Sequence, residues 1–369
     1  MTSAQVDVLL VAIVVSAACA IPGTFLVLRR MAMMSDAISH TVLLGIVLAF
    51  FVVADLSSPL LIAGAALVGL VTVVLVEAVS RTGLVREDTA IGLVFPALFS
   101  IAVILISSLA GDVHLDSDAV LLGEIAFAPF NRFTPFGVDL GPIALWVMGT
   151  ILLINLVCTA LFFKELKLAT FDPALAAALG FSPALVHYGL MVLVSITAVG
   201  AFDAVGSILV VALMVGPPAA AYLLTDRLPR MLALGVMIGA ASAAGGYWLA
   251  RLLDANIAGS MATVVGIAFV LVLFLAPQRG LIATARRRRR QRWTFARQML
   301  LIHLATHEGT PTEADESRPD HMQRHMRWPP AFADRVLQTA TERGLIVHEN
   351  DQLRLTPQGR NEARAAAIR

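Results

Sequence analysis

Asp36 and His40 stand four residues apart in MAMMSDAISHTVLLGIVLAF, residues 31–50, a run that otherwise reads as a membrane-spanning helix. Positions i and i+4 share one face of an α-helix. If the chain leaves the membrane surface near Arg30 and rises about 1.5 Å per residue, His40 lies about 15 Å deep, close to the middle of a hydrocarbon layer about 30 Å thick. An ionisable side chain at that depth is costly unless it faces a partner or a water-filled path. A carboxylate oxygen beside an imidazole nitrogen suits Mn²⁺, Fe²⁺ or Zn²⁺, whereas an alkali ion or a sugar has no need of imidazole. The same spacing also serves a hydrogen-bonded pair, Asp36 with His40 or with Ser39, that ties helices together. Spacing alone leaves both open.

The surroundings are those of an integral membrane protein. Of 369 residues 58% are hydrophobic and only 14% charged, and mean hydropathy is +0.81, far more apolar than a soluble domain. Runs bounded by charge or by Pro and Gly predict helices near 6–28, 33–54, 60–80, 89–110, 139–163, 182–202, 206–224, 230–252 and 258–277, about nine spans. They lack the alternation of lipid-facing barrel strands, so the fold class is an all-α polytopic membrane protein. An odd number of spans puts the termini on opposite sides. Arg29/Arg30, Arg81/Arg86, Lys164/Lys167, Arg227/Arg230 and Arg279 with Arg286–Arg290 fall in alternate connections, which places the N-terminus outside and the C-terminus in the cytoplasm. The first run lacks the positive n-region of a signal peptide and is expected to be retained. Cys19 and Cys158 lie in separate apolar segments and read as small core residues.

Two further stretches have a shape that suits work. In DPALAAALG, Asp172 is a plausible N-cap, Pro173 suits the first turn and Gly180 ends the helix, giving a short rod through Ala176 and Leu179 that could seat in a partner. Between 204 and 224, Gly206, Ser207, Ala212, Gly216 and Ala219–Ala221 form a small-residue face for close helix approach, and Pro217-Pro218 is expected to break the backbone ladder and shape a pathway beside Gly216. Glu77 and Arg81 read as an i, i+4 ion pair and His187 as an interfacial histidine. Asp112, His114, Asp116 and Asp118 form an acidic outer stretch that suits a solvated surface or a docking face.

These segments resemble the permease subunits of manganese, zinc and iron ABC importers. LRRMAMMSDAISHTVLLGI carries the family's Ser-Asp-x-x-Ser-His core. DSDAVLLGEI at 116–125, FDPALAAALGFSP at 171–183 and AVGSILVVALMVGPPAAAYLL at 204–224 resemble its outer stretch, coupling segment and small-residue helix, in the same order. The resemblance covers about residues 5–280 and implies an ABC type II-like metal permease of the bacterial inner membrane, paired with a second permease copy or paralogue. It implies two cytoplasmic ATPases that hydrolyse the ATP and an extracytoplasmic metal-binding protein. It makes Asp36 and His40 contacts of the transported metal; Asp172, Pro173, Ala176, Leu179 and Gly180 contacts of the ATPase; and the metal a cargo rather than a bound cofactor. No GxxxxGK[ST] loop occurs in the chain, in keeping with a non-enzymatic subunit, and the HExxH of an intramembrane metalloprotease is missing.

Beyond the last span the composition changes. Residues 1–285 read as the membrane domain, the basic run 286–292 as a linker at the lipid surface, and 293–369 as a small α+β domain. A helix over 293–306, a polar loop 308–320, a helix ending at Gly344, strands 345–348 and 352–355 and a last helix resemble the winged helix of metal-responsive repressors, most clearly in LRLTPQGRNEA. Its recognition helix mixes Asp334, Arg335, Glu342 and Arg343 rather than showing a basic stripe, so DNA binding is the weaker expectation and a membrane-anchored transcription regulator the second reading of the chain. His303/His307 and His321/His325 are i, i+4 pairs if helical, a spacing open to metal sensing.

Overall fold

The computed structural model describes residues 2–53, 58, 60–109, 125–134, 139–349 and 351–367. Most of the outer stretch at 116–125, with Asp112, His114, Asp116 and Asp118, lies outside the described residues. The chain divides into two compact units, Met1–Gly280 and Leu281–Arg369.

Among the described residues of the first unit, nine helices are long and apolar enough to cross a membrane. They are α1 (Ser3–Leu28), α2 (Ala32–Val53), α3 (Leu60–Arg81), α4 (Glu87–Leu109), α5 (Ile143–Leu161), α8 (Pro183–Val205), α9 (Ser207–Leu224), α10 (Leu228–Leu253) and α11 (Ile257–Leu275). Two shorter helices, α6 (Phe163–Phe171) and α7 (Pro173–Ala178), lie between α5 and α8. In hydrocarbon every N–H and C=O needs a partner within its own segment, which an uninterrupted apolar run supplies only as helix.

α1 is the hub, packing against α5, α8, α9 and α10 and burying Val11, Ala12, Val15, Ala18 and Cys19 completely. Its start is fixed by a capping box between Thr2 and Gln5. Lipid offers apolar side chains no less comfort than protein does, so polar ties and close packing carry much of the specificity. Asn155 of α5 donates to Ala18 O (3.1 Å) and to Thr197 Oγ1 of α8 (2.8 Å), knotting three helices at a buried point. Thr72 of α3 donates to Thr41 of α2 at 2.8 Å. Arg132 reaches both Asp7 of α1 (2.9 Å) and Asp139 (2.6 Å).

α9 does not break at its double proline. It runs unbroken through Pro217 and Pro218, both buried. A proline removes the bond to the carbonyl four residues earlier, which for Pro218 is that of Met214. That oxygen faces Gly23 of α1 so closely that a Cβ on Gly23 would stand 1.9 Å from it. The missing side chain lets the two helices meet and gives the freed carbonyl a Cα–H neighbour.

The second unit holds α12 (Leu281–His307), α13 (Glu313–Glu316), α14 (Pro319–His325), α15 (Pro330–Glu342), strands β1 (Ile346–Glu349) and β2 (Gln352–Leu355), and α16 (Pro357–Ala367). The strands pair antiparallel with Ile346 opposite Leu355, around a core of Leu300, Leu301, Leu304, Val336, Ile346 and Leu353. It is a small α+β unit with a two-stranded hairpin. The basic run 286–292 is not a separate linker but part of α12, exposed along its length. Arginine and glutamine are good helix formers, so a dense charge run marks exposure without interrupting the helix. The expected loop 308–320 contains α13 and the start of α14, with turns between.

Candidate functional site

The chain turns from α1 into α2 through Arg30, which takes a left-handed conformation (φ 63°), and a bond from Met31 N to Leu26 O (2.9 Å) closes the reversal. Asp36 therefore lies on the second turn of α2 and His40 one turn further along. His40 Nε2 is 3.4 Å from Asp36 Oδ1, with the side chains 27% and 29% exposed. The His40 ring stacks on Phe95 of α4 (5.7 Å between centroids) and meets Phe99 edge-on (6.0 Å). Among the described residues neither Asp36 nor His40 bonds to another helix. Ser39 donates to Ser35 O of its own helix at 2.8 Å, and the tie from α2 to α3 runs through Thr41 and Thr72. Among the described residues the pair thus meets another helix through the His40 ring and not through a polar tie.

Asp36 opens on a groove of about 460 Å³ between α2, α9 and α11, where it is the only charged lining residue among Met33, Ala212, Val215, Gly216, Val265 and Phe269. Gly216 is required there: a Cβ would come 2.3 Å from Val265 Cγ1. Pro217 and Pro218 do not line the groove. They pack toward Gly239 and Gly235 of α10, within 3.5 and 3.7 Å of where a Cβ on those glycines would sit. The structure thus joins Gly216 to Asp36 and sends the prolines elsewhere.

The short helix α7 forms as its sequence predicts. Asp172 accepts from Leu175 N at 2.9 Å, Pro173 opens the first turn and Gly180 takes φ 85°. Bonds from Gly180 N to Ala177 O and from Phe181 N to Ala176 O, both 3.0 Å, close it with a Schellman motif. Its faces differ: Ala176 is buried, 1% exposed, and packs inward rather than outward, while Leu175 and Leu179 stand 46% and 61% exposed. Arg29, at the end of α1, donates to Thr170 of α6 (3.1 Å) and meets His187 of α8 (3.4 Å), so this region is tied to the α1–α2 turn that carries Asp36. Glu77 and Arg81 form the expected ion pair (2.6 Å), joined by the Tyr188 hydroxyl.

Three features escaped the sequence. Asp203 is an exposed carboxylate on the last turn of α8, detectable as a lone charge in an apolar run. Arg335 of α15 and Arg343 just past its end share a pocket of about 370 Å³ with Arg290 and Arg297 of α12, which the mixed charge of α15 alone concealed. Glu316 lies among all four paired histidines of the C-terminal unit, which no spacing announces.

Residues 1–276 match the ABC 3 transport family. The chain belongs to that family. Among relatives of this ABC 3 chain, the zinc transport system membrane protein TroD of Treponema pallidum (strain Nichols) is 48% identical over 359 residues, covering 97% of this chain and 98% of the relative. The manganese transport system membrane protein MntD of Bacillus subtilis (strain 168) is 48% identical over 270 residues, 73% of this chain and 91% of the relative. A solved structure of PsaBC from Streptococcus pneumoniae in complex with Fab matches with a TM-score of 0.63 and 28% identity, over 76% of this chain and 94% of that one. The ABC 3 chain is a multi-pass permease subunit of an ABC transporter and not itself its catalytic subunit. A match of 359 residues takes in most of the C-terminal unit, which the family match stops short of.

Proposed function

We propose that this permease imports a divalent first-row metal, Mn²⁺, Zn²⁺ or Fe²⁺, along a path on which Asp36 and His40 are protein ligands. The observation that carries the reading is an Asp–His pair on a spanning helix with no other polar partner among the described residues, its carboxylate opening on a groove. TroD and MntD, named for zinc and manganese, support the cargo class. Two ligands are fewer than the four of a structural zinc site, so an ion they hold keeps open positions and can move on. A second permease copy would bring a second pair. Gly216 keeps the groove narrow beside Asp36.

ATP is hydrolysed by a cytoplasmic partner that receives α7. Asp172, Pro173 and Gly180 shape the rod, Ala176 seats it, and Leu175 and Leu179 are offered outward. An extracytoplasmic metal-binding protein delivers the ion to the opposite face. The distribution of Arg and Lys supports an outside N-terminus and a cytoplasmic C-terminal unit in a bacterial inner membrane. That unit shares its order of helix, hairpin and helix with winged-helix proteins and acts as a cytoplasmic accessory module rather than a promoter binder.

The test is uptake of radioactive manganese and zinc by cells that lack their own importers and express this chain with its ATPase. Asp36→Ala and His40→Ala are each expected to reduce uptake to background while membrane abundance and ATPase co-purification stay at wild-type levels. Normal uptake by both variants would overturn the assignment.

A further inference from the structure

The C-terminal unit gathers four of the chain's eight histidines around one carboxylate. α12 presents His303 and His307 one turn apart, α14 presents His321 and His325 one turn apart, and Glu316 ends the short helix α13 between them. Glu316 Oε2 lies 3.2 Å from His303 Nε2 and 2.7 Å from His321 Nε2. Ring centroids are 4.6 Å apart for His303 and His307, 5.0 Å for His303 and His325 and 5.5 Å for His321 and His325. Two triads result, His303–His307–Glu316 and Glu316–His321–His325, and in each the ligand atoms lie within 4.8 Å of one another.

We propose that these five side chains form a binding site for a divalent transition-metal ion, with Glu316 as the ligand common to both triads. Ligand atoms about 2.0–2.1 Å from one tetrahedral ion stand roughly 3.3 Å from each other, and the separation of His303 Nε2 from Glu316 Oε2 agrees with that. Glu316 Oε2 and His321 Nε2 are buried and, although close, make no directed hydrogen bond to each other or to any other described residue. A cation bound by both satisfies them, their 2.7 Å separation widening toward the spacing of a shared ion. Two histidines at i and i+4 on one helix face are a proven way to grip such an ion. Imidazole nitrogen with carboxylate oxygen selects Zn²⁺, Mn²⁺, Fe²⁺ or Co²⁺ over Ca²⁺ and Mg²⁺, which prefer oxygen throughout. With more ligands than the membrane pair, this site retains its ion rather than passing it on.

The site stands apart from the transport reading, because none of its residues lies in the membrane unit. Co²⁺ serves as the probe. The purified full-length chain in detergent is stripped with chelator, titrated with Co²⁺ and followed by its visible absorption, then challenged with Zn²⁺. Wild type is expected to develop an absorption band with at least one Co²⁺ per chain, erased by Zn²⁺, and Asp36→Ala, which removes a membrane ligand, is expected to keep the share of the band that belongs to this site. Glu316→Gln and the double variant His303→Ala/His321→Ala are expected to bind at least about tenfold more weakly. His325→Ala changes an exposed ligand, so it tests the site even where the buried variants misfold, and it should shift the band or weaken binding. Absence of the band in wild type, its full retention in Glu316→Gln, or an unchanged spectrum and affinity in His325→Ala would overturn the proposal.

Discussion

An aspartate inside a spanning helix is costly unless it is paired or faces water, and Asp36 sits on the second turn of α2. Among the described residues Asp36 has only His40 as a polar partner, on its own helix, so no polar tie to a neighbour seen there offsets that cost. In the proposed function a passing cation offsets it, and two ligands let the ion leave again. Asp36 and His40 were legible as a pair because their spacing falls on one helix face; that they make no polar tie to another helix among the described residues required the packing, since Ser39, Thr41 and Thr72 were equally available by type. Gly23 has no chemistry to flag it, yet the closest helix approach at α9 depends on it. Gly23→Ala drives a methyl into the Met214 carbonyl, where neither backbone yields easily. We expect a loss of about 1–3 kcal/mol, read as a lower aggregation temperature in detergent. An unchanged temperature would show that α1 and α9 stand further apart.

Among the elements, the caps of α7 were legible because Asp-Pro and Gly are position-specific signals. Its orientation was not. PALAAAL is apolar throughout, so nothing in the residue types says that Ala176 faces in and Leu179 out. The double proline was legible in part: its effect on the ladder follows from residue type, while the neighbour that the freed Met214 carbonyl finds in Gly23 does not. Leu179→Asp alters an exposed side chain and leaves the caps intact. It is therefore expected to keep the permease folded and inserted while reducing ATPase co-purification severalfold. Retention of the ATPase at wild-type levels, with normal uptake, would remove α7 from the interface.

Across the whole molecule, the spans were legible to within a few residues because hydrocarbon allows a continuous apolar run little but helix. The C-terminal unit was less so. Its helix over 293–306 and both strands carry ordinary amphipathic patterns, whereas the segment 308–320 reads as a polar loop yet holds α13, whose Glu316 meets His303 of α12. The molecule thus holds two histidine–carboxylate sets of different size, a spare one in the membrane unit, proposed for passage, and a fuller one in the C-terminal unit, proposed for retention. The claim about passage is tested most directly by ATP-driven accumulation of Mn²⁺ and Zn²⁺ in proteoliposomes that contain this chain with its ATPase and binding protein, wild type beside Asp36→Asn. Wild type should accumulate at least one of the two metals, and Asp36→Asn, which keeps the shape and loses the charge, should accumulate neither above the ATP-free control. Full accumulation by Asp36→Asn, or none of either metal by wild type, would contradict the account.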